Sequence, residues 1–191
     1  ALLLSGLSML AAGSSSPASG GEHLLSHYLD MKSALYGTPH DLHGAQVGVG
    51  TVHCLGLWER ILQLAPDALD AEALASAQPD DGTIRAWIEE DWGNAVGAEV
   101  LSQWLEKALA PRELGAEIDR FKSQFEALQA GVREDYLPPA TVSVAIRAAG
   151  GPVMPEELDA PTGEFEKAVK RARFIRNRFT VLDLAAELGI G

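Results

Sequence analysis

Apolar residues at helical spacing constrain the fold of this chain more than any other feature. The clearest example begins at Pro111, a residue suited to the first turn of a helix, and runs to Gly131. Within it, apolar residues recur every three or four positions, at Leu114, Ile118, Phe121, Phe125 and Leu128. No segment shows the sustained alternation of apolar and polar residues that a strand requires. The sequence therefore predicts an all-α fold.

Further helices follow from the same spacing and from the residues that interrupt it. Pro66, the pair at 138–139 and the run at 150–152 break the chain. We expect helices over residues 1–12, 22–35, 42–64, 70–76, 83–92, 95–109, 111–131, 162–177 and 181–189, and a short helix or a turn over 141–149. We take residues 1–191 as a single all-helical domain.

Two of these helices have recognisable N-terminal caps. Asp80 or Asp81 is suited to cap the helix that starts near Thr83, because a short polar side chain can accept from a first-turn N–H. Thr180 and Asp183 resemble a capping box for the last helix.

Composition limits the classes of function. Of 191 residues, 47% are hydrophobic and 22% charged, which is enough apolar material for a sizeable core. The net charge of −12 argues against a nucleic-acid binder, because neutralising phosphates requires a basic surface. The single cysteine, Cys54, excludes an intrachain disulfide framework and fits the cytoplasm.

The apolar N-terminus resembles the core of a secretory signal but has no basic leader. It is also too short to span a bilayer, so we expect no membrane association. We interpret residues 1–12 as a buried helix of a longer protein.

All five histidines lie in one stretch, from His23 to His53. Imidazole is the commonest protein ligand for transition metals and the usual proton-transfer group near neutral pH. His23 and His27 are four apart, so on a helix both lie on one face, about 5–6 Å apart at Cβ. His43 follows a Pro/Gly loop and can fold back against that face. The stretch therefore predicts a metal site.

The third protein ligand is less clear from the residues alone. Zinc takes three or four ligands, and Glu22 and Asp30 are both candidates. The zinc-protease pattern HExxH is absent, because Leu24 follows His23. The alternative is that the histidines cap helix ends or fill a wet cleft; for His53, packing is the favoured interpretation.

Three glycines, Gly44, Gly48 and Gly50, fall in the opening turns of the helix that follows His43. Each costs up to about 1 kcal/mol in a helix interior. They are best explained if another backbone or a ligand comes close there. A loosely specified helix start is the alternative.

Two motifs resemble a known family. SPASGGEHLLSHYLD, residues 16–30, followed by LHGAQVGVGT, residues 42–51, is similar to the metal-site region of glycerol-1-phosphate dehydrogenases. These enzymes belong to the superfamily of iron-containing alcohol dehydrogenases, glycerol dehydrogenase and dehydroquinate synthase. The end of the chain, IRNRFTVLDLAAELGI, also resembles the end of that family. The resemblance implies the superfamily's C-terminal helical domain, without its N-terminal nucleotide-binding α/β domain.

The resemblance also implies roles for individual residues. His23 and His43 are the implied metal ligands, for Zn²⁺ with Fe²⁺ or Ni²⁺ as alternatives. His27 is the implied catalytic histidine and lines the substrate site, and His40 lies near the mouth of the cleft as a further substrate-binding residue. The implied reaction is reduction of dihydroxyacetone phosphate by NAD(P)H, with the metal as Lewis acid.

The chain departs from the family pattern in three respects. Ser16 stands where the resemblance implies an arginine, and Ala45 replaces an acidic residue. The third implied ligand is an aspartate in a segment that precedes these residues, as does the nucleotide-binding domain. On this interpretation we expect the isolated chain to be inactive.

The remaining features are explained by structural roles. A run of basic residues is interpreted as a solvated helix face that pairs with nearby acids, and binding of phosphate or of an acidic partner is the alternative. The run consists of Lys167, Lys170, Arg171, Arg173, Arg176 and Arg178. Trp87, Trp92 and Trp104 are expected in the core or a subunit contact. The three acids from Glu89 to Asp91 predict an exposed acidic patch.

The predicted partner is thus a small-molecule substrate, a triose phosphate or polyol, and a homo-oligomer is expected. Two alternatives stay open: a glycerol or polyol dehydrogenase or dehydroquinate synthase-like enzyme, and a non-catalytic helical domain that binds a metal or a partner.

Overall fold

The computed structural model describes residues 2–13 and 18–190, and in these ranges regular structure is entirely helical. The α-helices are α1 (Leu2–Ala12), α2 (Gly21–Tyr36), α3 (His43–Leu62), α4 (Ala71–Ser76), α5 (Asp81–Leu105), α6 (Pro111–Asp135), α7 (Pro139–Ala148), α8 (Glu164–Arg171) and α9 (Val181–Glu187). Short 3₁₀ turns lie at Pro66–Ala68, Pro155–Glu157 and Ala172–Ile175. The predicted all-α class is confirmed.

The pair formed by α2 and α3 is the centre of the fold. α2 is capped by Gly37, whose left-handed φ of 67° allows its N–H to donate to the Ser33 carbonyl. The chain then reverses, and α3 begins at His43. Leu25 and Tyr28 of α2 and Ile61 of α3 are fully buried, so the two helices share one core.

Glycine sets the distance between these two helices. A Cβ added at Gly50 would lie 3.0 Å from the Glu22 carbonyl oxygen and 3.1 Å from its Cα, so the backbone of α2 occupies that space. The predicted close approach is therefore confirmed at Gly50. At Gly48 a Cβ would make only ordinary contact, and at Gly44 it would meet nothing within 4 Å. Gly44 thus fits the alternative of a loosely specified helix start.

The predicted capping residues are confirmed. Asp80 caps α5, with its carboxylate accepting from the Thr83 N–H at 2.7 Å. Thr180 caps α9 by accepting from the Leu182 N–H, and the Asp183 carboxylate accepts from the Thr180 N–H at 2.8 Å.

Three helix predictions differ from the structure. The segments predicted at 83–92 and 95–109 lie in one element, α5, which kinks at Gly93 because that residue adopts φ 64°. The helix predicted at 162–177 ends at Arg171, because residues 172–175 are all buried and a surface helix exposes part of each turn. The expectation of a buried N-terminal helix is wrong for the second half of α1, where no described element covers Leu7 or Leu10.

The acidic patch is also corrected. Glu89 and Glu90 are exposed, but Asp91 is completely buried. Its Oδ1 lies 3.4 Å from Lys32 Nζ of α2 and 3.1 Å from Arg171 Nη1 of α8. A fully buried carboxylate is tolerated only when it is paired, and the two cations explain why Asp91 faces inward.

The basic run is split between surface and core. Lys167 and Arg171 pair with Glu90, as expected of a face that meets local acids. Arg173 contradicts the prediction: it is 4% exposed, and its guanidinium packs on the rings of Trp104 and Phe174. The 3₁₀ turn carries Arg173 away from the outer face of α8 and into the interior.

The tryptophans occupy core positions, as expected. Trp92 is buried against the Tyr28 ring, and Trp87 and Trp104 pack against Phe174. No helix in the described ranges is long and apolar enough to cross a membrane.

Substituting Asp91 tests the buried pairing. Asp91→Asn removes the buried carboxylate between Lys32 and Arg171 and leaves them only Glu164, 3.8 Å from Lys32, and the exposed Glu90 beside Arg171. We expect a loss of about 3–5 kcal/mol in the free energy of unfolding. Chemical denaturation measures it. The exposed neighbour provides the control, because Glu90→Gln should cost less than about 1 kcal/mol. Equal effects of the two substitutions would show that burial of Asp91 is not what matters.

Substituting Gly50 tests the close packing of α2 and α3. Gly50→Ala forces the two backbones apart, and we expect a net loss of about 1–2 kcal/mol, since overpacking exceeds the gain in helix propensity. Gly56 lies on the same helix with nothing within 4 Å of an added Cβ. Gly56→Ala should therefore stabilise the chain by up to about 1 kcal/mol. Thermal melts of the two variants should move in opposite directions.

Candidate metal centre

Three histidines converge where the N-terminal turns of α2 and α3 meet. His23 and His27 lie one turn apart on α2, and His43 is the first residue of α3. The His43 ring lies 5.3 Å from the His23 ring and 5.3 Å from the His27 ring, measured between centroids, and the His23 and His27 rings are 6.3 Å apart. The structure thus brings together the three histidines that the sequence placed in one cleft.

Buried polar groups orient His43. Gln46 Nε2 donates to the Asp41 carbonyl at 3.0 Å, which leaves Gln46 Oε1 as an acceptor. Ser26, fully buried, donates its hydroxyl proton to that Oε1 at 2.6 Å. A serine hydroxyl has one proton, so His43 Nδ1, 2.7 Å from Ser26 Oγ, must be the donor in that contact. The unprotonated nitrogen of His43 is therefore Nε2, which is free to bind a metal.

Asp41 also connects this part of the cluster to a more distant loop. The Asp41 carboxylate accepts from the backbone N–H of Asp159 at 2.6 Å. The loop before α8 is therefore tied to the loop that leads into α3.

Glu22 orients His23 in a similar way. Its Oε1 lies 2.9 Å from His23 Nδ1 and also accepts from the Gly20 N–H at 2.8 Å. A carboxylate beside Nδ1 favours a proton there, which leaves Nε2 of His23 to bind a metal. Glu22, which the sequence offered as a possible metal ligand, thus contacts Nδ1 of His23 and leaves Nε2 available.

Asp30 contributes a second carboxylate to the cluster. One donor atom each from His27, Asp30 and His43 lie within 4.8 Å of one another. Asp30 Oδ2 is 3.4 Å from His43 Nδ1. This group of three contains His27 and not His23. The hydrogen bonds on Nδ1, in contrast, favour His23 and His43 as metal ligands. Together the residues offer three imidazoles and a carboxylate, a donor set that fits Zn²⁺, Fe²⁺ or Ni²⁺.

His27 lies in the half-buried floor of the cluster. Burial lowers its pKa below the ordinary value, and the neighbouring His43 and the positive charge of Arg176 lower it further. A lowered pKa keeps the imidazole neutral at physiological pH, so that it can accept a proton.

The two remaining histidines differ. His40 is exposed on the loop between α2 and α3; its Nδ1 lies 3.0 Å from Ser33 Oγ and its Nε2 4.0 Å from Asp30 Oδ1. This places it at the edge of the cluster. His53 lies apart, with its ring edge-on to Phe165 at 5.7 Å, and burial lowers its pKa. The packing role expected of His53 is confirmed.

Sequence reasoning did not connect Arg176 with this site. It assigned the residue to a solvated helix, but Arg176 follows the 3₁₀ turn Ala172–Ile175, which packs against α2. The helical spacing of apolar residues continues across that turn, so the sequence pattern does not indicate that the chain bends there. Ser16 lies outside the described residues.

Comparisons with known proteins place the chain near one group of enzymes. It is 37% identical to the glycerol-1-phosphate dehydrogenase (NAD(P)+) of Bacillus velezensis over 107 residues, 52% of this chain and 27% of the relative. It is 28% identical to that of Bacillus licheniformis over 189 residues, 99% of this chain and 34% of the relative. An archaeal relative, from Korarchaeum cryptofilum, is 52% identical over 52 residues, 27% of this chain and 17% of the relative.

The chain thus spans about a third or less of the length of these relatives. No family model matches it, and no solved structure does.

The orienting role of Ser26 can be tested by metal affinity. In Ser26→Ala, His43 Nδ1 loses its short contact with Ser26 and keeps only Asp30 Oδ2, at 3.4 Å, so its orientation is less well fixed. We expect zinc affinity to fall about 10–100-fold. Ser33 is the matched control, because it contacts His40 and not His43. Ser33→Ala should keep the original affinity. Competition with a chromophoric chelator measures both, and circular dichroism checks folding; equal affinities would refute the tautomer assignment.

Proposed function

The chain is glycerol-1-phosphate dehydrogenase-like, and from this premise we propose that it supplies the metal-binding part of an NAD(P)-dependent oxidoreductase. The proposed reaction is the reversible reduction of dihydroxyacetone phosphate to glycerol 1-phosphate. The observation that carries the proposal is the cluster of His23, His27 and His43, in which two imidazoles are held with Nε2 free.

His23 and His43 are the proposed metal ligands. Each has a hydrogen-bonding partner on Nδ1, the arrangement that metal-binding histidines use to fix their orientation. Asp30 offers a carboxylate oxygen close to donor atoms of His43 and His27. Zn²⁺, or Fe²⁺ or Ni²⁺ in its place, supplies a Lewis acid that polarises the substrate carbonyl when bound.

His27 is the proposed proton-transfer residue. Its lowered pKa keeps the imidazole neutral, so it can take the hydroxyl proton when glycerol 1-phosphate is oxidised. In the reverse direction, the protonated imidazole returns that proton to the oxygen of the new alcohol. The hydride comes from NAD(P)H, and no residue of this chain is assigned to the nucleotide.

His40 and Asp30 are proposed to line the entrance. His40 is exposed and interacts with Ser33 and Asp30, so it can reorient without disturbing the core. From this position it can hydrogen-bond a substrate hydroxyl.

The decisive experiment is a substrate panel on the full-length gene product. Dihydroxyacetone phosphate, dihydroxyacetone, glycerol and glycerol 1-phosphate are each tested with both nicotinamide cofactors. Activity on the phosphorylated pair supports the proposal. Activity on glycerol alone indicates the polyol alternative, and bound metal without turnover of any substrate indicates a non-catalytic domain.

Two histidines of α3 provide a matched test of the metal site. His43→Ala removes a proposed ligand, so we expect bound metal to be lost and turnover to fall by at least about 10³-fold, since Lewis-acid stabilisation is worth several kcal/mol. His53→Ala removes a packed histidine from the same helix and should retain both. Elemental analysis and steady-state kinetics give the two readouts. A His43→Ala enzyme that keeps its metal and its activity would falsify the assignment.

A further inference from the structure

This inference rests on the proposed function and concerns the phosphate of the substrate. A phosphate monoester carries about −1.5 to −2 charges at pH 7. The histidine cluster is bordered by the carboxylates of Glu22 and Asp30, in a chain of net charge −12. A metal ion bound by the histidines would offset these charges at the substrate carbonyl, but the phosphate lies at the other end of the substrate and requires a cation of its own. Ser16 carries no charge and cannot supply one.

Four cations on or near α2 are engaged in other contacts. Lys32 and Arg171 are committed to the buried Asp91. Arg178 donates through Nη1 to the Ser19 carbonyl, which holds the loop before α2. Arg173 is buried over two aromatic rings. Lys32, Arg171 and Arg173 therefore do not present their charge to a ligand at the cluster, and Arg178 is held at the loop before α2.

Arg176 differs from all of them. Its side chain is exposed, and Nη1 donates at 3.0 Å to the carbonyl of its own neighbour, Ile175. Within the part of the chain that the structure describes, no carboxylate forms a salt bridge with it. An arginine has five N–H donors, so most of the guanidinium fork is open.

Packing fixes the position of Arg176 relative to the site. The 3₁₀ turn that precedes it lies against α2, and Phe174 and Ile175 are fully buried there. The backbone at Arg176 is therefore anchored beside the helix that carries His23 and His27. Two residues further on, Arg178 donates to the Ser19 carbonyl just before α2, so Arg176 lies between a buried contact with α2 and the loop that begins that helix.

We propose that Arg176 binds the phosphate group of the substrate, while the reacting carbon lies at the histidine cluster. A guanidinium presents parallel N–H donors to two phosphate oxygens, and such charge-assisted pairs are the strong ones among hydrogen bonds. Arg176 thereby distinguishes a phosphorylated triose from free dihydroxyacetone or glycerol.

The test uses the full-length gene product, with Arg176→Gln and Arg176→Lys. Lys170→Gln is the control, because Lys170 is an exposed cation of the same basic run. We expect Arg176→Gln to raise KM for dihydroxyacetone phosphate about 30-fold, with a much smaller change in kcat, since a binding contact is lost. The inhibition constant of inorganic phosphate should rise in parallel. Arg176→Lys should restore part of the affinity as a point charge, and Lys170→Gln should match the wild type.

Added guanidinium ion should lower KM for Arg176→Gln and leave the wild type unchanged, a response that a purely structural role would not produce. Thermal melts check that the variants are folded. Unchanged KM and phosphate inhibition in Arg176→Gln would overturn the phosphate assignment while leaving the proposed function standing. A wild-type enzyme that does not turn over dihydroxyacetone phosphate would overturn the proposed function, and the assignment with it.

Discussion

The close contact between Gly50 of α3 and the backbone of Glu22 on α2 is the constraint on which the rest of the structure depends. It lets the two helices approach without intervening side chains, and their shared core is built around that contact. Because Glu22 directly precedes His23, the same contact sets how far the first turn of α2 lies from α3. The histidines of the two helices can then reach one another across the gap.

The large elements of the fold could be predicted because they are marked locally. Apolar spacing identified α6, and Asp80 and Thr180 marked helix starts through chemistry confined to one turn. Asp91 could not be placed in this way. Its neighbours Glu89 and Glu90 are also acidic, so the local sequence does not distinguish the three residues. Asp91 can be buried only because Lys32 and Arg171, from other helices, pair with it. The bend after Arg171 was missed for a related reason, because burial of residues 172–175 is decided by α2 and α5 and not by the local pattern.

The site was predictable in part. His23, His27 and His43 were identified as a group because helical spacing and a short loop are enough to bring them together. Their roles remain predictions. The groups that orient them were not foreseen, since Ser26 and Gln46 are twenty residues apart and neither stands out in the sequence. Arg176 belongs to the basic run, as predicted, but it follows a 3₁₀ turn and does not lie on the continuous helix expected there.

The hydrogen bonds behind His43 make the nitrogen that it offers depend on the main chain. The direction of every proton between Asp41 and His43 follows from one carbonyl group, because that carbonyl fixes the amide of Gln46, the amide fixes the hydroxyl of Ser26, and the hydroxyl fixes the imidazole. Asp41 is itself tied to the backbone of Asp159. The nitrogen that His43 presents therefore depends on the loop that carries Asp41 as well as on the helix that carries the histidine.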